Sequence, residues 1–223
     1  MSGSQWPYLY TRIRGLYQAR GLVGTVRFLA SRIVRMAADQ CFEADLSAEP
    51  PSATFPTDVQ VRLIDRRTVG DPNVALWLQA ATQGESQVYL EGLAKDDLLY
   101  CIVDRNGEVI HYSFVQFVSR YKTILDEDIA TPLFTNCWTS PNARGKRVYP
   151  NTLLTACGEL RRRGHRRVVI TCDPDNTAST KGILHAGFRP TRRISSLIFL
   201  SRLALQRIVR DPAERARWRL CRL

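Results

Sequence analysis

Long apolar runs are missing from this chain. Nothing in its 223 residues approaches the roughly 20 needed to span a bilayer. A secretory leader is not expected either, because Arg12, Arg14 and Arg20 interrupt the apolar residues of the N-terminus too often. Cytoplasm is therefore the expected location. Histidine is scarce, at three residues, and no two of the six cysteines stand as C-x-x-C. That argues against a zinc site, and no metal is expected. Cys101, Cys137 and Cys172 fall in apolar strand-like runs, where a reduced thiol acts as a small core residue. There is no internal repeat and no helix-turn-helix, zinc-finger or RNA-binding sheet signature, so nucleic acid is a weak candidate partner.

What is present is arginine. The formal net charge is +11, and arginine dominates the cations. Such a chain favours anionic company: an anionic membrane face, nucleic acid or phosphorylated ligands. Arginine suits bidentate phosphate contact better than lysine does.

The arginines cluster. Residues 1–47 read as a basic amphipathic helical extension, with Leu22, Val26, Leu29, Ile33 and Met36 at three- and four-residue steps. Ala48 to Pro56 reads as a linker, because its prolines cannot continue a helix. Residues 201–223 form a second basic segment. These ends have two open readings. They pack on the domain or on a second subunit, which would make a homodimer. Or they lie on an anionic membrane surface, placing the protein at the inner face of the membrane.

Between the ends, residues 57–200 read as one domain. The spacing predicts strand, helices, hairpin, strand, helix, strand, helix, strand. The hairpin is marked by Arg105-Asn106-Gly107. The helix from Pro150 to Arg163 has proline in its first turn, arginines at its end and Gly164 as its stop. This is an α/β (α+β) domain with a mixed sheet.

The informative segment is CWTSPNARGKRVYPNTLL, Cys137 to Leu154. It reads as a strand, a turn and a helix. The first turn of such a helix offers unpaired N–H groups and partial positive charge, which suits a pyrophosphate. Arg144, Lys146 and Arg147 add full charges. A second segment, TCDPDNTASTKGILHAGFRP, follows at Thr171.

Together the two segments resemble the GNAT superfamily of N-acyltransferases. The phosphate-loop pattern P-x-x-[RQ]-G-x-G-[IV]-[GA]-x-x-L-L is met at Pro141, Arg144, Gly145, Val148 and Leu153. The later N-x-x-[SA] and G-F elements are met at Asn176, Ser179, Gly187 and Phe188. The resemblance implies a mostly antiparallel central sheet flanked by helices. It also implies an acyl-CoA co-substrate, acetyl-CoA in the first instance, and an amine acceptor. Trp138, Thr139, Arg144, Gly145, Lys146, Arg147, Val148, Tyr149, Asn176, Ser179 and Lys181 would then hold the coenzyme. The carbonyl oxygen would be met by backbone N–H near Trp138.

Three positions depart from the pattern. Arg147 replaces the second glycine and Tyr149 the following small residue. Ile183 stands where many relatives carry a tyrosine that protonates the leaving thiolate. An ordinary φ is expected at Arg147. The strand from Leu133 to Ser140 has no carboxylate, so Thr135, Asn136 and Asp173 are the candidate polar groups, with Asn136 and Asp173 the catalytic choices. Two functions follow. One is an acyl-CoA-dependent N-acyltransferase acting on a primary amine, such as an amino sugar of an envelope or polysaccharide pathway. The other is a non-catalytic acyl-CoA or anion-binding module of the same fold.

Overall fold

Nine strands form a single sheet in the computed structural model, which describes residues 33–82, 86–200, 202–210 and 215–222. The strands are β1 (Val34–Asp45), β2 (Val59–Ile64), β3 (Leu98–Asp104), β4 (Val109–Gln116), β5 (Leu133–Thr139), β6 (Arg167–Cys172), β7 (Arg189–Phe199), β8 (Leu203–Val209) and β9 (Arg217–Arg222). The helices are α1 (Pro72–Thr82), α2 (Ser86–Leu93), α3 (Tyr121–Leu125), α4 (Val148–Arg162) and α5 (Thr177–His185). Across the sheet the order is β2-β3-β4-β5-β6-β1-β7-β8-β9. Only β5 and β6 run parallel; every other neighbour pair is antiparallel. The expected mixed, mostly antiparallel sheet is therefore present.

Local chemistry explains the elements between β2 and β7. β3 is LLYCIVD, apolar through six positions and buried accordingly. The hairpin to β4 closes on Gly107 at φ 80°, and the Asp104 carboxylate accepts hydrogen bonds from the Asn106 and Glu108 amides. α4 buries Leu153, Ala156, Cys157 and Leu160 on one stripe, packed with Phe134, Ile183 and Phe188 in the main core. Arg161 and Arg162 occupy its last turn, and Gly164 follows at φ 88°. The linker from Ala48 to Pro56 has no regular structure but is anchored on α4, where the Asn151 amide donates to the Thr54 carbonyl.

The two ends of the chain differ from expectation. From Val34 onward a strand stands where helix was expected: β1 lies between β6 and β7 and pairs with both. Its sequence, VRMAADQCFEAD, is rich in good helix formers, and Met36 continues a helical spacing from the residues before it. Tertiary pairing overrides that preference. Cys41 and Phe42 are fully buried, and two sheet neighbours satisfy the backbone. The rest of the expected extension, residues 1–32, lies outside the described residues. At the other end, residues 203–209 and 217–222 form β8 and β9 rather than a loose tail or helix. The sheet thus extends past both edges of the expected 57–200 domain.

The acidic loop Asp126–Asp128 is structural. The Glu127 side chain is buried and holds ion pairs with Arg192, at 2.7 Å, and with Arg167. Burial alone would raise its pKa, but the hydrogen bonds from Arg192 and Arg167 hold the carboxyl below its ordinary range. Asp126 pairs with Arg219 at 2.5 Å and Arg217 at 3.3 Å, tying β9 to the loop.

Candidate functional site

The sheet opens where β5 leaves β6. The two strands pair only at Leu133–Val169 and Phe134–Ile170, although β5 continues to Thr139 and β6 to Cys172. Two features force β5 away. Asn136 adopts φ 45°, and the register between β4 and β5 shifts around Ser113, which is the signature of a bulge. Backbone groups of β5 past Phe134 are thereby turned toward the gap instead of into a ladder. The Thr135 hydroxyl, at the point of departure, is buried without a hydrogen-bond partner.

A cleft of about 570 Å³ lies along β5 beside this opening. β5 contributes Cys137, Trp138 and Thr139 to its wall. The turn and first residues of α4 contribute Arg144, Gly145, Arg147, Val148 and Tyr149, and α5 contributes Asn176, Ser179, Lys181, Gly182 and His185. Ten of the eleven residues expected to hold a coenzyme thus surround one cleft. The remaining one, Lys146, is exposed on the same turn.

The turn is built by a single 3-10 turn, Pro141–Ala143, followed by two residues of positive φ. Gly145 has φ 78°, and an added Cβ there would meet nothing within 4 Å, so glycine is required by conformation rather than by crowding. Arg147 has φ 58° and ψ 15° and forms the N-cap of α4 without a side-chain cap bond. The expectation of an ordinary φ fails here. The position that carries glycine in the family pattern is left-handed here with an arginine in it. The reason is the turn itself, which must reverse between Gly145 and the first residue of α4. Arg144 donates from Nε to the Thr139 carbonyl at 3.3 Å, bracing the turn against the end of β5.

Asn176 is the N-cap of α5. Its Oδ1 accepts from the Ser179 amide at 3.0 Å. Tyr149 reaches across from α4. Its ring lies on Gly182, where a Cβ would come within 2.5 Å of it, and its hydroxyl is 3.5 Å from the Ser179 hydroxyl. Gly182 is therefore needed by close approach. Burial raises the Tyr149 pKa, so the phenol stays protonated. Ile183, one residue on, is fully buried in the main core and does not face the cleft.

Behind the cleft wall stands a buried polar group that the sequence reading left unassigned. His111 is fully buried, with Nδ1 2.8 Å from the Thr139 hydroxyl and Nε2 2.8 Å from the Ser113 hydroxyl. Burial pushes its pKa down to about 3, so the imidazole is neutral, donating through one nitrogen and accepting through the other. Its ring centroid is 5.5 Å from that of Tyr149. Burial raises the Cys137 thiol to about 11, with hydrogen bonds to Ser113 and Tyr149 acting in the opposite sense. The signal was present in VIHYSFV, where His111 and Ser113, two apart, must share a face of an otherwise apolar strand.

The two catalytic choices fall elsewhere. Asn136 is exposed, and its Nδ2 donates to the Tyr89 hydroxyl of α2 at 3.0 Å, on the α1–α2 side of the sheet. Trp138 stacks on Tyr112, with centroids 5.5 Å apart. Asp173 is exposed and accepts from the Asp175 amide at 2.8 Å, closing the turn before α5; it does not line the cleft. Among the described residues, no group of three or more His, Cys, Asp and Glu could hold a metal ion.

Solved structures place this fold. An acetyltransferase of the GNAT family from Colwellia psychrerythraea is similar over 79% of this chain, with a TM-score of 0.50 and 14% identity. A GCN5-related glucosamine N-acetyltransferase region of a fungal multi-domain GH3 β-N-acetylglucosaminidase is similar over 77%, with a TM-score of 0.51 and 14% identity. A Drosophila protein is similar over 79%, with a TM-score of 0.55 and 11% identity. This chain spans 62% of the Colwellia structure, 22% of the fungal one and 57% of the Drosophila one. No protein-family model matches the chain, and no curated protein does. The chain has the GNAT fold.

Proposed function

We propose that this protein is an acyl-CoA-dependent N-acyltransferase, transferring acetyl in the simplest case to a primary amine. The observation that carries the reading is the opening between β5 and β6, which continues into the cationic turn at the start of α4. The diphosphate of the coenzyme lies against Arg144, Lys146 and Arg147 and the first amides of α4, of which Pro150 contributes none. The pantetheine arm follows the gap past Asn176, Ser179 and Lys181 and delivers the thioester to Trp138 and Thr139 of β5. The amine enters from the α1–α2 side, where Asn136 meets Tyr89.

In the reaction the neutral amine attacks the thioester carbon, the carbon–sulfur bond breaks, and the proton shed by the amine ends on the sulfur. Backbone N–H of β5 beyond the bulge faces the carbonyl oxygen as charge gathers there. Tyr149, kept protonated by burial, donates a hydrogen bond to the departing sulfur. It takes over from the tyrosine that this chain lacks at Ile183. An amino sugar, as in an envelope or polysaccharide pathway, is the acceptor class we favour, and the fungal glucosamine N-acetyltransferase region supports it by analogy of fold.

A second reading, a non-catalytic acyl-CoA binding module, draws on the burial of Ile183 and the absence of a carboxylate from the cleft wall. Calorimetry with acetyl-CoA followed by thiol release over a panel of amines separates the two. Binding with amine-dependent thiol release is expected. Binding without release would leave the module, and no binding at millimolar acetyl-CoA would end both readings.

A further inference from the structure

β1, β7, β8 and β9 have one covered face and one open face. The covered side holds Ile194, Ile198, Ala204 and Ile208, with Gln206, fully buried, and Ser196 among them. Gln206 donates to the Ile124 carbonyl at 2.7 Å and to the Ser196 hydroxyl at 3.0 Å. On the open side, a row of apolar residues crosses all four strands in register. Met36 pairs with Leu197, Leu197 with Leu205, and Leu205 with Leu220. Met36 is 84% exposed, Leu220 68% and, beside it, Trp218 63%. At about 4.8 Å per strand the row is roughly 15 Å wide. An apolar strip of this kind on a sheet marks a surface that meets something other than water.

Charge identifies what it meets. The flanking outward positions carry Arg193, Arg207 and Arg222, all exposed, and Arg202 stands in the turn between β7 and β8. No carboxylate occupies an outward position of these four strands. A second copy placed face to face would set arginines against arginines. Residues 1–32 bring five more arginines and no acid. A negatively charged lipid surface satisfies both halves of the pattern. Apolar side chains and Trp218 enter the headgroup boundary, while the arginines reach phosphates at its edge.

We propose that the face formed by β1, β7, β8 and β9 docks on an anionic lipid bilayer. The proposal does not depend on the acyl-transfer reading, because neither the cleft nor the coenzyme enters it. The test is co-sedimentation of the full chain with phosphatidylglycerol-containing vesicles, compared with pure phosphatidylcholine, at low and high salt. Sedimentation with the anionic vesicles, relieved by salt, is expected. Met36→Glu and Leu220→Glu should each weaken it about tenfold, from lost insertion and added like charge. Gln60→Glu, exposed on β2 at the far edge of the sheet, adds the same charge and should leave binding unchanged. Both face positions are exposed, so the thermal melts of these variants should match the parent. They lie on different strands, so fraying of β9 cannot imitate the effect at Met36. Three results would overturn the proposal: no sedimentation at low salt, face variants that bind like the parent, or a concentration-dependent dimer in solution that Leu220→Glu abolishes.

Discussion

At the scale of single residues, Tyr149 is the most testable position. Its ring needs Gly182 beneath it and its hydroxyl sits beside Ser179, inside the cleft. Tyr149→Phe keeps the ring and deletes the donor. A thiolate leaves without much help, since an unperturbed thiol has a pKa of about 8.5, so the expected loss is modest. Steady-state kinetics should show kcat reduced about tenfold, the low end of acid–base contributions, with KM for acetyl-CoA nearly unchanged. An unchanged kcat would remove Tyr149 from the chemistry. This residue shows how far the sequence was legible. Its departure from the small residue of the family pattern was plain, but its contact with Gly182 joins two helices 33 positions apart, and no local pattern announces that. Asn176 was easier, because a cap bond lies within three residues of its source. Asp173 was harder, because an Asx turn and a catalytic carboxylate look alike in one dimension.

At the scale of elements, the turn into α4 combines two opposed effects in Arg147. Its left-handed backbone costs about 1 kcal/mol relative to glycine. Its guanidinium is proposed to repay this at the diphosphate. Arg147→Gly should therefore raise the melting temperature while weakening acetyl-CoA binding several-fold, by loss of a charge-assisted contact worth about 1.5 kcal/mol or more. Calorimetry and thermal melts on the same preparation check both signs. A fall in both would mean that the side chain holds the turn rather than the ligand. Elements whose signals are local were legible: the Asn-Gly hairpin and the ends of α4. β1 was not, because Met36, Ala37 and Ala38 favour helix and only the partners β6 and β7 make the strand. β8 was hidden for a different reason. Leu203, Leu205 and Arg207 point outward while Gln206 points in, so its alternation does not identify a buried face.

At the scale of the whole molecule, acid should loosen the fold earlier than carboxylate titration alone predicts. His111 has its pKa pushed from the ordinary 6.5 down to about 3 by burial. Between those values the unfolded chain binds a proton that the folded chain refuses. Stability is therefore lost as pH falls through this window, by up to about 1.4 kcal/mol per pH unit. Glu127, held below its ordinary range by Arg192 and Arg167 once burial is overcome, loses stability in the same direction at lower pH. Asp39 and Asp97 are raised by burial and work in the opposite sense. Thermal melts at pH 7 and pH 5 should show a drop for the parent and a smaller drop for His111→Asn, whatever that variant costs at neutral pH. Equal drops would assign the acid sensitivity to other groups.

The central position of β1 has a consequence for synthesis. Gln40 on β1 hydrogen-bonds to Arg192, 152 residues further on, and Glu43 to Arg167, 124 residues on. A ribosome adding about 5–20 residues per second leaves both edges of β1 without partners for roughly ten seconds. Such long-range pairing is also slow to form once the partners arrive. From the synthesis of β1 until β6 and β7 emerge, the nascent chain thus carries an open strand, and the sheet around β1 cannot close before β7 is made. Codon changes that slow elongation between β1 and β6 should raise the insoluble fraction of this protein in cells without altering a single side chain.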